Sequence, residues 1–416
     1  MPNFDSSASD VPFKGPRLEL RRLHAQPWYA PPIAFDSSVQ AEVLEDRTPE
    51  NRALLGLKDS MYGNLRSSSS LAAELGGVMT FAPAQSMTGA SQPASAAGRQ
   101  LFLLSEPGAP RLALQLQTPG SLHARPAAAS DVVYVHGATF GADLSVFYRF
   151  DGRSWADELN DIGLNVWGFD FAGYGGSDRY PPNAHGPVGR MDEAVAQLHR
   201  VVLAVRQGNE DRPVALIAHS WGASVAARYA GTHPQDVKAL VLFGPIVVRA
   251  AMPAATQPAQ APATHLVSLW AQYRRFIEDV PRGQAQVLSE AHIAQWGQAY
   301  LAVDPDSSAR MPPAVLTPFG PLADIGALWS GQSLYDPSLV KVPTLLIRGV
   351  WDGVCTDADA TRLLAALGSV DKEGVKIDRA THLMHLESGR IELHNQVNAF
   401  LTRTMIRSAI ATSRRT

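Results

Sequence analysis

The stretch Val214-Ala-Leu-Ile-Ala-His-Ser220-Trp-Gly-Ala-Ser224 determines how the rest of this chain is interpreted. Its first half is a short apolar run typical of a buried strand, and the small residues after Ser220 favour a helix that begins at once. In open α/β folds such a turn lies at the carboxyl end of the sheet, where ligands bind. Gly222 fits the sharp turn, and Ala218 adds one methyl group where glycine is usual. The alternative is that Ser220 only caps the helix.

Short apolar runs alternate with helical patterns from about residue 100 onward. Runs this short and this rich in Val, Ile and Leu suit strands buried on both faces. The runs are Leu101–Leu104, Leu112–Leu116, Val132–Val135, Val166–Phe169, Val214–Ala218, Leu240–Phe243, Leu345–Ile347 and Val375–Ile377. Apolar residues from Met191 to Val205 step by four and three, and Gly208 follows as a stop. The alternation predicts an α/β fold with a mostly parallel central sheet flanked by helices.

The alternation is interrupted once, so we divide the chain into a core, an insertion and an extension. Residues 99–246 and 339–416 form the core, and residues 247–338 are predicted to be a helical insertion that covers the sheet as a lid. The insertion has one apolar stripe and a second helix with Leu288, Trp296 and Tyr300. The stripe contains Leu266, Leu269, Trp270, Tyr273, Phe276, Ile277 and Val280. Residues 1–98 are partly irregular, but segments such as Leu71–Phe81 are apolar enough to pack on the core.

Composition excludes several classes of function. With 45% hydrophobic residues the 416-residue chain can build a large core, and a net charge of −3 gives no basic field for nucleic acid. The single cysteine, Cys355, allows no intrachain disulfide. We find no secretory signal and no apolar run of membrane-spanning length, and therefore expect a cytoplasmic protein. A homo-oligomer is compatible with the sequence.

A serine hydroxyl becomes a nucleophile only when a base takes its proton and a carboxylate orients that base. Asp352 directly follows the strand that ends at Arg348, and His382 follows the strand near Ile377. Both would therefore lie at the same edge of the sheet as Ser220. The order Ser, Asp, His is the order that one α/β architecture uses. These residues are our candidate catalytic triad.

Five motifs in this order resemble the α/β-hydrolase superfamily between about residue 100 and residue 401. Besides the Ser220 turn, they are His136-Gly-Ala138, Asp170-Phe-Ala-Gly-Tyr-Gly-Gly-Ser-Asp178, Gly349-Val-Trp-Asp352 and His382-Leu-Met-His-Leu-Glu387. The resemblance implies the α/β-hydrolase fold with a lid. It also implies an oxyanion hole made by the backbone N–H groups of Ala138 and Trp221. The first hundred residues have no counterpart in it.

We therefore expect a cofactor-free and metal-free serine hydrolase that cleaves a carboxylic ester, a thioester or an amide of a small molecule. Thr139 and three aromatic residues of the insertion, Trp270, Tyr273 and Trp296, are candidate substrate-binding residues. They predict a preference for bulky or aromatic apolar substrates. The same triad could serve carbon–carbon bond hydrolysis, lyase chemistry or acyl transfer. A receptor that turns its ligand over slowly is the alternative from another class.

Two residues near the candidate triad have structural interpretations that we prefer. His385 could be a second base or could form a metal pair with His382, but no carboxylate–histidine cluster supports a metal. Cys355 lies three residues after Asp352 without a Cys–His motif, so we interpret it as a buried small residue.

Overall fold

A nine-stranded sheet is the centre of the computed structural model, which describes residues 18–23, 99–120, 130–249 and 261–406. The strands are β1 (Glu19–Leu23), β2 (Arg99–Ser105), β3 (Leu112–Gln117), β4 (Asp131–Val135), β5 (Asn165–Phe169), β6 (Val214–His219), β7 (Val237–Phe243), β8 (Thr264–Ser268), β9 (Ala314–Pro318), β10 (Thr344–Gly349) and β11 (Lys372–Ile377). The helices are α1 (Trp155–Asp161), α2 (Met191–Gln207), α3 (Ser220–Thr232), α4 (Leu269–Ile277), α5 (Glu290–Ala302), α6 (Gly320–Trp329), α7 (Asp357–Ala366) and α8 (Arg390–Leu401).

The sheet has the order β1-β2-β3-β5-β4-β6-β7-β10-β11. From β5 to β11 all neighbouring strands are parallel, whereas β1, β2 and β3 add an antiparallel edge. Each of the eight apolar runs lies within one of these strands. The predicted fold class, a mostly parallel sheet flanked by helices, is confirmed. Because parallel strands end at one edge, β6, β10 and β11 deliver their following loops to the same place.

Side chains of the central strands alternate between two hydrophobic cores. In β6, Ala215 and Ile217 pack in the core that includes residues of α1 and α8, while Leu216 and Ala218 pack in the core that includes residues of α2 and α3. Successive residues of a strand face opposite sides of the sheet, so an unbroken apolar run is what a strand covered on both faces requires. All six residues of β6 are buried. The strand that leads to Ser220 is therefore held from both sides.

The predicted extension, residues 1–98, is described only at residues 18–23. There β1 pairs antiparallel with β2, with Leu20 opposite Leu104, and lengthens the sheet by one strand. Leu20 also packs against the core that contains Leu104. Leu71–Phe81, which we expected to pack on the core, lies outside the described residues. The boundaries at residues 98, 246 and 338 stay a prediction.

The sequence predicts a helical insertion, but the structure shows that the insertion is only partly helical. It contains α4, α5 and α6, but β8 and β9 pair antiparallel and form a second, two-stranded sheet. Leu266, which we had placed in the helical stripe, lies in β8 opposite Leu316 and is 41% exposed. Assigning it to a helix was wrong because the pairing partner of β8 lies some fifty residues away. Ser268 then caps α4 through its side chain, which accepts from the Ala271 N–H.

A third hydrophobic core joins the insertion to two loops at the carboxyl edge of the sheet. Phe276 of α4 and Trp296 and Tyr300 of α5 are almost completely buried in it. They pack with Phe140, which follows β4, and with Leu383, which follows His382. The insertion and the loops near the candidate triad therefore share one packing unit, and displacing one disturbs the other.

Asp324 of α6 fixes this part of the chain to the core. Its fully buried carboxylate accepts hydrogen bonds from the Met191 N–H at 2.7 Å and from the Trp221 indole N–H at 3.1 Å, and it pairs with Arg190. One carboxylate thus satisfies the amino-terminus of α2 and the residue directly after Ser220. Burial raises the pKa of Asp324, and the cation and the N–H donors act against that rise.

We predict that Asp324→Ala lowers the free energy of unfolding by about 3–5 kcal/mol, because it leaves buried donors and a guanidinium without their acceptor. Asp161→Ala is the matched control. Asp161 pairs with Arg153 at 2.6 Å but is about half exposed, so its loss should cost about 1 kcal/mol or less. Urea unfolding of both variants measures the difference. Equal effects would contradict the role given to Asp324.

Candidate active site

Ser220 lies at the sharp turn between β6 and α3. Its φ angle is +57°, in the left-handed region that a residue with a side chain seldom adopts. The turn requires close packing, because a Cβ atom on Gly222 would lie 2.2 Å from the His136 carbonyl oxygen. Ala218, where we expected the turn to absorb one methyl group, is fully buried in the core. The strained position of Ser220 is typical of functional sites, where the surrounding structure imposes it.

The side chains of Ser220, His382 and Asp352 lie in one hydrogen-bonded row. His382 Nε2 is 2.9 Å from Ser220 Oγ, and His382 Nδ1 is 3.1 Å and 3.2 Å from the two oxygens of Asp352. Asp352 Oδ1 also accepts the backbone N–H groups of Val354 and Cys355 at 2.9 Å and 2.8 Å. These bonds aim the carboxylate at the imidazole. The three side chains follow β6, β11 and β10, whose ends the parallel sheet brings together.

Gly244, which the sequence analysis did not single out, lies against the hydrogen bond between His382 and Asp352. It follows β7 with φ +53°, and a Cβ atom there would lie 3.0 Å from His382 Nδ1 and 3.3 Å from Asp352 Oδ2. A side chain at this position would meet both partners of the hydrogen bond. The only signal in the sequence is a glycine directly after a buried apolar run, and many turns share it.

The loop that carries His382 is held by two further buried side chains. Glu387 accepts the Thr381 N–H at 2.9 Å and the Thr381 hydroxyl. His219 donates from Nε2 to the His382 carbonyl oxygen at 3.0 Å. Burial, followed by the neighbouring His385 and His382, holds the pKa of His219 well below its usual value, so this ring stays neutral. His219 therefore positions His382 through its backbone carbonyl, and Glu387 does so through the preceding residue.

The segments that carry Ala138 and Trp221 are also fixed. The Ala138 carbonyl accepts the Tyr174 hydroxyl at 2.6 Å, and the Trp221 indole donates to Asp324. The His136 ring bridges the same loop, because Nδ1 is 2.8 Å from the Gly137 carbonyl and Nε2 accepts the Phe171 N–H at 3.0 Å. Trp221 is in the first turn of α3, whose N–H groups have no acceptor within the helix.

Comparisons with known proteins agree with this architecture. A family model described as serine aminopeptidase, S33, matches residues 129–316. Of the solved structures, the thioesterase domain from the curacin biosynthetic pathway is 17% identical, with a TM-score of 0.51 over 72% of this chain and 99% of that chain. At this identity the likeness shows the fold alone. The chain has the α/β-hydrolase fold.

This α/β-hydrolase is a serine hydrolase, the class of enzyme that the matching family model describes. Two further structures are similar at lower TM-scores. The monoacylglycerol lipase of Paleococcus ferrophilus is 19% identical, with a TM-score of 0.44 over 70% of this chain and 99% of that chain. A thermophilic esterase from Thermogutta terrifontis is 16% identical, with a TM-score of 0.44 over 72% and 95%. No curated protein sequence matches.

His385 does not belong to the hydrogen-bonded row of this α/β-hydrolase. Neither of its ring nitrogens has a hydrogen-bond partner among the described residues, and the ring packs against Phe140, Phe243 and His219. Burial and the nearby His382 and Arg275 hold the pKa of His385 well below its usual value. A neutral, buried ring among aromatic rings fits the structural role that we preferred.

The Cys355 side chain is fully buried, and burial raises the pKa of its thiol well above the usual value, so it is not poised as a nucleophile. In residues 18–23, 99–120, 130–249 and 261–406 no cluster of His, Cys, Asp or Glu could hold a metal ion. Within the same residues no helix has the length and apolarity to cross a membrane.

The four candidate substrate-binding residues occupy four different environments. Trp296 is fully buried, and its indole donates to the Leu144 carbonyl at 3.0 Å. Tyr273 packs against α5, where a Cβ atom on Gly297 would lie 2.2 Å from its hydroxyl oxygen. Trp270 is 56% exposed. Of the four candidates Thr139 is next to the proposed oxyanion loop, and its hydroxyl accepts from Arg275 Nη1 at 2.6 Å.

Arg275 was missed by the sequence analysis, which followed the apolar side of α4. The residue lies between Tyr273 and Phe276 of that stripe, yet its guanidinium reaches Thr139 of the core. A second hydrogen bond joins the insertion to the core, because the Gly353 N–H donates to Asp279 at 3.2 Å. Polar side chains of the insertion thus reach both the loop after β4 and the loop that carries Asp352. An arginine on a helix usually indicates a solvated face, so no local pattern indicates this contact.

The buried Glu387 makes the stability of this α/β-hydrolase depend on pH. Burial raises its pKa from 4.5 to about 7, and the Thr381 donors act against that rise. The folded chain therefore binds more protons than the unfolded chain between these values, and the free energy of unfolding falls as pH rises through that window. Glu387→Gln removes the dependence. We expect the variant to gain about 2–3 kcal/mol relative to wild type between pH 5 and pH 8.

Urea unfolding at several pH values tests this prediction, with Glu392→Gln as the control. Glu392 is an exposed residue of α8 that bonds to Gln396, so Glu392→Gln makes the same chemical change away from the buried site and should retain the pH dependence that Glu387→Gln loses. Parallel curves for wild type and Glu387→Gln would show that Glu387 does not titrate in this range.

Proposed function

We propose that this serine hydrolase cleaves a carboxylic ester through an acyl-enzyme on Ser220. The observation that carries the proposal is the 2.9 Å contact between Ser220 Oγ and His382 Nε2, with Asp352 at the other ring nitrogen. A hydroxyl, an imidazole and a carboxylate in this order supply a nucleophile, its base and an orienting group. Thioesters and amides share the acyl-transfer chemistry, and the substrate panel below separates them.

In the proposed mechanism His382 Nε2 takes the proton of Ser220 as Oγ attacks the carbonyl carbon. The Nδ1–H group of the ring donates to Asp352, which stabilises the imidazolium that forms. His382 then gives its proton to the leaving alcohol, and an acyl group stays on Oγ. A water molecule, deprotonated by the same imidazole, attacks this ester and releases the acid.

Negative charge develops on the carbonyl oxygen during both attacks. We assign its stabilisation to the N–H groups of Ala138 and Trp221, which would point at that oxygen. Loss of one such donor in other enzymes costs roughly 3–4 kcal/mol of transition-state stabilisation. The bonds of Tyr174 to the Ala138 carbonyl and of Asp324 to the Trp221 indole support this role, because they hold both segments in place without using the two N–H groups.

The preference for bulky or aromatic apolar substrates remains part of the proposal. Trp296 and Tyr300 are packed in the third core, so they act as supports of the insertion and present little free surface. Ser220 and His382 are each only 4% exposed. We propose that a substrate reaches them when the insertion moves away from the loops with which it shares the third core. Such a cover is compatible with an extended acyl or alcohol group lying beneath α4.

We predict that Ser220→Ala and His382→Ala each lower kcat/KM for p-nitrophenyl esters by roughly 10⁴-fold or more, since triad members act as a unit. His385→Ala should lose much less activity, because its ring makes no hydrogen bond to the row. Thermal unfolding of all three variants separates lost chemistry from lost folding. A panel of p-nitrophenyl esters, thioesters and amides measures the class of substrate.

Two results would overturn the proposal. If His385→Ala proved more damaging than His382→Ala at equal folded fraction, the base would be misplaced by three residues along the loop. If wild type released only one equivalent of product and then stopped, the chain would act as a slow ligand receptor and not as an ester hydrolase.

A further inference from the structure

Arg275 is unusual among the inward-facing arginines of this protein because its partners are neutral. Its Nη1 group donates to Thr139 Oγ1 at 2.6 Å and to Gln272 Oε1 at 3.2 Å. An ion pair requires a carboxylate oxygen within 4.0 Å of a guanidinium nitrogen, and no carboxylate of the described residues is that close to Arg275. The guanidinium is partly buried, and this desolvation lowers its pKa, with Glu278 and other acidic groups acting against the shift at longer range.

Many other arginines that point inward are paired with an acid in direct contact, although Arg179 bonds only to backbone carbonyl oxygens. The described pairs include Arg190–Asp324, Arg206–Asp236, Arg249–Asp359, Arg310–Asp304 and Arg348–Asp357. A cation removed from water without a counterion is costly, and removing one partner of a buried pair usually destabilises a protein strongly. The fold thus compensates inward-facing guanidinium groups with carboxylates in many places, but leaves Arg275 with two neutral oxygens.

The position of Arg275 connects it to the candidate active site. Thr139 directly follows Ala138, which we assigned to the oxyanion hole. Burial is the main cause that lowers the pKa of His219 and His385, and the Arg275 charge adds to that shift as one of its smaller causes. A second donor lies next to it, the Nε2 amide of buried Gln272, which makes no hydrogen bond within 3.5 Å among the described residues although the Gln272 side chain interacts with the Tyr300 hydroxyl. A cation and an amide donor at one place are what a carboxylate of a ligand would bind.

We propose that Arg275 is a specificity-determining residue that binds a free carboxylate on the substrate. The substrate class is then an ester that carries a carboxylate apart from the bond that is cleaved, such as a half-ester of a dicarboxylic acid. This inference rests on the proposed esterase function and adds the chemistry of the group that the site recognises. Binding the carboxylate supplies Arg275 with its missing counterion and aligns the ester carbonyl below the insertion.

The test compares charged and neutral esters of similar size. Mono-p-nitrophenyl glutarate carries the carboxylate on the acyl side, and p-nitrophenyl pentanoate is its neutral partner. 4-Carboxyphenyl acetate carries it on the alcohol side, with 4-(methoxycarbonyl)phenyl acetate as the neutral partner. Wild type should prefer the charged member of one pair, and higher ionic strength should weaken that preference. The pair that shows the preference identifies the side on which the carboxylate lies.

Arg275→Met should lower kcat/KM for the preferred charged ester by roughly 10- to 100-fold, the range for losing one charge-assisted hydrogen bond. The change should fall mainly on KM, and the neutral partner should change by less than about threefold. Arg275→Lys should restore part of the preference. Arg274→Met is the matched control, since Arg274 lies on the same helix and pairs with Glu278 at 3.4 Å, and it should leave the ratio unchanged.

Two outcomes would overturn the inference while leaving the esterase proposal intact. One is equal loss on charged and neutral esters in Arg275→Met, which would mean that Arg275 only holds the Thr139 loop. The other is a wild-type enzyme that hydrolyses neutral esters with no preference for either charged ester. If wild type hydrolyses no ester at all, the proposed function fails and the inference fails with it.

Discussion

The backbone of Ser220 is held in a left-handed conformation, and most of what surrounds the candidate site depends on that constraint. A residue with a side chain adopts this geometry at a cost of about 1–3 kcal/mol, so neighbouring packing must offset it. Here β6 is buried on both faces, Gly222 lets α3 approach the His136 carbonyl, and the Ile246 N–H donates to the Ser220 carbonyl at 3.3 Å. The result is an Oγ atom that projects from the carboxyl edge of the sheet.

The loops that meet Ser220 are fixed by a few buried polar groups, each with several partners. Asp324 accepts hydrogen bonds from Trp221, which follows Ser220, and from the first residue of α2. Glu387 accepts from Thr381, which precedes His382 in the same loop. Both carboxyl groups have a raised pKa because they are buried. A site built in this way is rigid, since each acceptor fixes donors that have no access to water. The rigidity keeps the serine and the imidazole at bonding distance.

The insertion combines apolar packing with polar contacts to the site. Phe276, Trp296 and Tyr300 bind it to the loops after β4 and β11 through a shared core. The contacts of Arg275 with Thr139 and of Asp279 with the Gly353 N–H reach the loops on either side of Ser220. Aromatic residues of the insertion thus serve mainly to hold it down, while the polar residues are the ones that approach the reaction centre. In this account the charge of the substrate, as well as its size, determines selectivity.

Local patterns predicted the features that depend on near neighbours along the chain. Apolar runs identified the eight strands from β2 to β11 that lie in the main sheet, and motifs after three of them predicted that Ser220, Asp352 and His382 would lie at one edge. Pairings between distant segments were not visible. β8 and β9 are separated by α4 and α5, Gly244 matters only beside His382, and Arg275 contacts Thr139 across 136 positions. Each depends on which segments the fold brings together, and no local pattern records that.

Detection of the acyl-enzyme tests the central claim most directly. Wild type is mixed with a fast-acylating p-nitrophenyl ester, quenched in acid within milliseconds and examined by intact-mass and peptide mass spectrometry. We predict a mass increase equal to one acyl group, located on Ser220 and absent from Ser220→Ala. Turnover in wild type with the acyl group on another residue, or undiminished turnover in Ser220→Ala, would contradict the account.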